Sequence, residues 1–85
     1  MRCKMKLTKI ERSLMHVHEE GALVAKEIHT VIMHPVMGNT DENKRFFAAT
    51  PSGSFNVGVI NAEAVAGLKL GAEYYLDITP AEPAA

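Results

Sequence analysis

Four histidines, His16, His18, His29 and His34, lead the residues of this sequence whose type and spacing could do chemistry. In an extended strand His16 and His18 share a face, because side chains alternate with period two, and Glu19, Glu20 or His34 would complete a metal sphere. Such a centre needs three or four converging ligands and supporting hydrogen bonds. No cysteine pair and no His-x-x-x-His repeat accompanies them. Solvated strand histidines are therefore the expectation, with His16, His18 and His34 the weaker metal alternative and no cofactor assigned.

The single cysteine, Cys3, lies in an apolar phase of "RCKMKL". A reactive thiolate needs an electropositive, partly exposed setting and a base, so Cys3 reads as a small buried hydrophobe. Ser52 and Ser54 of "TPSGS" are turn serines and not a strand-to-helix nucleophile elbow. "GSFNVGV" lacks the lysine and following helix of a phosphate loop. No catalytic residue emerges, and the expectation is a non-enzyme.

"NKRFF", Asn43 to Phe47, sets Lys44 and Arg45 beside two aromatics, a combination suited to single-stranded nucleic acid. Nine basic against ten acidic residues give a formal charge of -1, which leaves no global field for a polyanion. In extended backbone Phe46 and Phe47 point to opposite faces, so one belongs to the core and the other to an interface. Lys44 and Arg45 stand as the nucleic-acid alternative.

These residues must be positioned by short strands. Cys3, Met5 and Leu7 alternate with basic residues, as a half-buried strand requires, and the phase slips at Thr8-Lys9-Ile10, where a bulge would restore an inward side chain. "IERSLMHVHEEG" fits strand or helix; strand followed by a turn at Glu19-Glu20-Gly21 is preferred, and a helix over Ile10–Glu20 is the alternative. Ala22 to His34 is β-branched and ends at Pro35. Gly38 to Lys44 reads as loop, and Arg45 to Ala49 as a short apolar piece. Phe55, Val57 and Val59 make a further strand. Asn61 caps a helical turn over Ala62 to Ala66, and Tyr74, Leu76 and Ile78 face one way in a last strand while Glu73, Tyr75 and Asp77 face the other.

Four to five strands with one helical turn before the last predict an all-β fold, a small partly open barrel or sandwich. Residues 1–79 form one domain and 80–85 an extended tail held out of either element by Pro80 and Pro83. A chain of 85 residues without disulfides relies on packing or oligomerisation. No run approaches the roughly eighteen apolar residues of a membrane span and no signal peptide is read at the N-terminus, so a cytoplasmic origin is expected.

The block from Asn43 onward carries an aromatic and small residues before T-P-S, an alternating strand, an asparagine-led helical turn and G-x-E-Y-Y-x-D-x-T-P-A. In this, and in "MRCKMKLTKIER", the chain resembles a group of small, mostly uncharacterised proteins of tailed bacteriophages and prophages. The resemblance is weakest from Leu14 to Asn39. Separately, "VINAEAVAGLKLGAEYYLDI" is similar to the end of molybdate-binding barrel domains, without their anion-binding motif. The phage resemblance implies a virion structural or assembly module that binds phage structural proteins or itself, with Tyr75, Phe46, Phe47, Pro80 and Pro83 as partner contacts. Its location would be the virion or the cytoplasm of the infected host. The alternative is an intracellular phage protein that binds single-stranded nucleic acid or inhibits a host factor.

Overall fold

The computed structural model describes residues 1–83. Two long strands, β1 (Arg2–Glu19) and β2 (Ala22–Pro35), form an antiparallel hairpin; α1 (Asp41–Ala49), β3 (Phe55–Val59), α2 (Ala62–Ala66) and β4 (Glu73–Asp77) come after it in the chain. One antiparallel sheet results, in the order β3-β2-β1-β4. The fold is mostly β, as the alternating pattern requires, and Ile10–Glu19 is strand, with Glu20 in the turn. The sheet does not close: β3 and β4 are opposite edges with the hairpin between them. Neither barrel nor sandwich forms among the described residues, and the local similarity to molybdate-binding barrels does not extend to a closed barrel.

The bulge sits where the phase slips. Register shifts between Leu7 and Lys9, so that Ile10 pairs with Val31 on the core face and Lys9 pairs with Ile32 on the other. Without the extra residue Lys9 would point into the core. That core is one cluster of Cys3, Met5, Leu7, Val31 and Met33, flanked by Ile10, Phe55, Val59, Val65, Leu68, Tyr74 and Leu76. Val65 and Leu68 bring α2 and its exit loop over this face. Asn61 caps α2, its side-chain oxygen accepting from the Glu63 amide at 3.0 Å.

The segment read as loop and short apolar piece is instead the nine-residue helix α1. Thr40 accepts from the Asn43 amide at 3.1 Å, and Asp41 and Glu42 in the first turn complement the helix dipole. The polar residues that looked like turn chemistry are an N-cap. Phe46 and Phe47 consequently lie about 100° apart on a helix and not on opposite faces of a strand.

Among the described residues β4 pairs only with Arg2–Lys6, and β3 only with His29–Met33. Past Arg12↔His29 the hairpin runs on alone to Glu19↔Ala22, an arm about 20 Å long at the usual strand rise. The Cα radius of gyration is 16.2 Å and the longest extent 52 Å, whereas a compact chain of this length has a radius of roughly 12 Å. At the arm's tip Glu20 and Gly21 both have positive φ, 49° and 77°, as a two-residue type I′ turn needs. Glu20 is strained there. Glu20→Asn is expected to stabilise the arm by about 0.5–1 kcal/mol, read as slower hydrogen exchange of the arm amides; unchanged or faster exchange would show that the turn does not limit the arm.

Candidate functional site

Three surfaces can hold a partner, and the first is set by the pairing of β4 with β1. Lys4 opposes Tyr75 and Arg2 opposes Asp77, so alternation places all four on the face away from the main core, where α1 packs. The Tyr75 and Phe46 rings meet at 6.0 Å between centroids, and the Arg2 guanidinium lies 4.9 Å from the Tyr75 ring, within cation–π range. Tyr75 donates its hydroxyl to Glu42. Lys4 Nζ reaches Glu42 at 3.3 Å and Glu73 at 3.6 Å. Asn43, almost wholly buried, donates to Asn39 at 3.0 Å and to Glu73 at 2.9 Å.

Charge pairing shifts these groups. The Tyr75 hydroxyl, then Lys4, holds the Glu42 carboxyl below its ordinary value, and Tyr75 is raised in turn by Glu42. Burial works against the Lys4 charge, but Glu42 and Glu73 outweigh it and raise its pKa. The hydrogen bonds from Arg2, at 2.6 and 3.1 Å, lower Asp77, and those from Arg12 lower Glu27. A carboxyl whose folded pKa is depressed contributes stability above its unfolded pKa, lost as pH falls through the folded value. The urea midpoint is therefore expected to drop between neutral pH and about pH 3, by less in high salt because the groups are exposed. A midpoint that holds or rises at acid pH would contradict these pairings.

On the opposite face a recess of about 440 Å³ is lined mainly by Met1, Cys3, Met5, Phe55, Leu76 and Ile78. Cys3 is buried at its floor, as its apolar phase implies. The rim is held because Met1 and Ile78 exchange hydrogen bonds at 3.2 and 2.8 Å, continuing the β1–β4 ladder by one rung. From there Pro80 and Pro83 continue, exposed, along the tail; residues 84 and 85 lie outside the described residues.

The third surface is the arm. On the face that continues the core side stand Leu14 and Leu23, 72% and 61% exposed, with His16 and His18. On the other face Met15, Val17, Val24 and Ile28 form a stripe. Arg12, Glu27 and His29 close the core at the arm's root: Arg12 bonds Glu27 at 3.1 and 2.8 Å and His29 Nε2 lies 2.8 Å from the same carboxylate.

The structure brings Tyr75 and Phe46 together, while Phe47, Lys44 and Arg45 stand exposed on α1 next to the acidic Asp41 and Glu42. It does not bring the metal alternative together. His34 pairs with Lys6 at the base and bonds Thr8 Oγ1 at 2.8 Å, whereas His16 pairs with Ala25, about 30 Å away along the strand. Sequence reasoning missed Lys4, Glu42, Asn43 and Glu73 as one network; the Thr40-Asp41-Glu42 cap was the signal that could have found it. It also missed the arm. Among the described residues no helix is long and apolar enough to cross a membrane. Comparison with family models, with curated proteins and with solved structures finds no match.

Proposed function

We propose that the chain is a non-enzymatic bacteriophage protein, a virion structural or assembly module of the capsid-decoration or connector kind that works by binding other protein surfaces. The observation that carries the protein-binding part is the arm. Leu14 and Leu23 stand in water on a two-stranded ribbon outside the core, and an isolated ribbon of this kind is marginal by itself. The aromatic pair Tyr75–Phe46 and the recess beside Ile78 supply further apolar surface on the base. The bacteriophage part rests on the resemblance of the Asn43–Glu82 block and of the N-terminal strand.

Quantitative mass spectrometry of gradient-purified phage particles tests this reading. Copies in simple proportion to the major capsid protein support decoration, and a low fixed number supports a neck or tail connector. Absence from particles overturns the virion role and puts the intracellular alternative first, with Lys44 and Arg45 the cationic pair to mutate in a low-salt binding assay on labelled single strands.

A further inference from the structure

Among the described residues β1 has a long edge to which nothing pairs. Its inner edge bonds β2 from Met5 to Glu19, apart from the bulge at Thr8; its outer edge bonds β4 over Arg2–Lys6 and then the loop before β4, where Leu7 donates to the Ala72 carbonyl at 2.9 Å and accepts from the Gly71 amide at 2.8 Å. From Lys9 to Glu19 the outer edge has no backbone partner among the described residues. The two-residue turn makes Glu19↔Ala22 a hydrogen-bonded pair. Alternation then aims the N–H and C=O of Ile10, Arg12, Leu14, His16 and His18 outward.

We infer that this edge pairs antiparallel with the same edge of a second copy, about a two-fold axis at Leu14. The inference rests on the reading of the arm as a docking element and names its partner. A two-fold axis normal to a sheet sets one residue opposite its own copy, and the midpoint of the free edge Lys9–Glu19 is Leu14, the most exposed large apolar side chain of the arm. In this register Lys9 of each copy falls opposite Glu19 of the other, so both ends of the seam carry opposite charges. The neighbouring symmetric registers are worse. An axis at Met15 sets Glu11 against Glu19, and an axis at Ser13 drives Glu19 against Leu7, whose outward groups already bond Gly71 and Ala72.

Five outward residues per copy make about ten backbone hydrogen bonds across the seam, the number typical of a specific interface. The two ribbons become one four-stranded sheet, β2-β1-β1-β2, and three or more strands are what independent stability requires. Backbone pairing gives the affinity, and the charge match fixes the register.

Sedimentation equilibrium of the full chain across micromolar concentrations should show a monomer–dimer equilibrium. Lys9 and Glu19 also have partners within the chain, Glu11 at 2.6 Å and Lys26, so the decisive comparison is between single and double charge reversals. Lys9→Glu and Glu19→Lys should each raise the dimer Kd about tenfold, since each sets two like-charged pairs across the seam. The double variant should recover most of that loss, although it worsens both intrachain pairs. In a Cys3→Ala background, Leu14→Cys should form an intermolecular disulfide on mild oxidation, because paired Cα atoms about 5.5 Å apart are within disulfide reach. Leu23→Cys, on the other strand, should not. A chain that stays monomeric overturns the inference, as does a dimer indifferent to the single reversals or one cross-linked through Leu23→Cys. A monomer found in phage particles sinks the dimer alone; a dimer absent from particles sinks the virion role alone.

Discussion

Leu7→Ala is expected to remove a large share of the chain's stability, about 2–5 kcal/mol. Leu7 has no exposed surface and stands in the middle of the only buried apolar cluster among the described residues, between Met5, Val31 and Met33. Truncating a leucine in such a place costs about 2–5 kcal/mol, since a cavity is left as well as a transfer term lost. A chain of this length has roughly 4–13 kcal/mol in all, and the arm adds no buried apolar residue to it. Thermal unfolding followed by circular dichroism should therefore lose its cooperative transition or shift down by about 10–30 °C. Leu7→Met, which keeps the volume, should cost less than about 1.5 kcal/mol, and Leu14→Ala, in water, no more than about 0.5 kcal/mol. If Leu7→Ala unfolds near the parent temperature, the stabilising core lies elsewhere.

Much of this core was legible because β strands write burial as alternation. Cys3, Met5 and Leu7, the phase slip at Thr8, and the opposed faces of Tyr74 and Tyr75 all result from side chains pointing alternately up and down. The Asn61-capped turn was legible for a different reason: asparagine before alanines has few other roles. Closure was not legible. Alternation says which face a residue takes but not which strand lies beside it, and here β1 and β2 satisfy each other along almost their whole length. The short strands β3 and β4 are left with opposite edges at the base, too far apart to seal a barrel.

Helix α1 was lost to an ambiguity of chemistry. Thr40, Asp41 and Asn43 bond locally to backbone in turns and in caps alike, and tertiary partners decide between the two. Phe46 finds Tyr75 across from it, and Asn43 finds Glu73, neither of which is near in sequence. The same holds for the proposed binding surface. Tyr75 and Phe46 were readable one by one as interface aromatics, but their meeting, and the Lys4–Glu42–Glu73 network beneath, depend on the docking of α1. The histidines show the converse. His16 and His18 do share a face, yet the length of the hairpin carries His34 to the far end of the ribbon.

Excising the arm is expected to separate folding from assembly. Replacing Leu14–Glu27 by an Asn-Gly turn would leave Ser13 and Ile28, a hydrogen-bonded pair like Glu19 and Ala22, as the closing pair of a short hairpin, with the turn residues a type I′ connection favours. Every member of the core cluster and of its flanking shell remains. What is lost is the Glu27 partner of Arg12 and His29, while Ile28 stays packed over Gly58, where an added Cβ would stand 2.7 Å from the Ile28 side chain. The exposed Arg12–Glu27 pair is worth little in water, so the base should unfold cooperatively within a few kcal/mol of the parent. X-ray scattering should report a radius near the roughly 11 Å of a compact chain of the shortened length, against a parent whose Cα radius is 16.2 Å. The shortened chain should be monomeric at every concentration that dimerises the parent, because the free edge from Lys9 onward is reduced to its first few residues. An excised chain that fails to fold would make the arm part of the folding unit, and one that still dimerises would place the seam on the base, at Tyr75–Phe46 or at the recess beside Ile78.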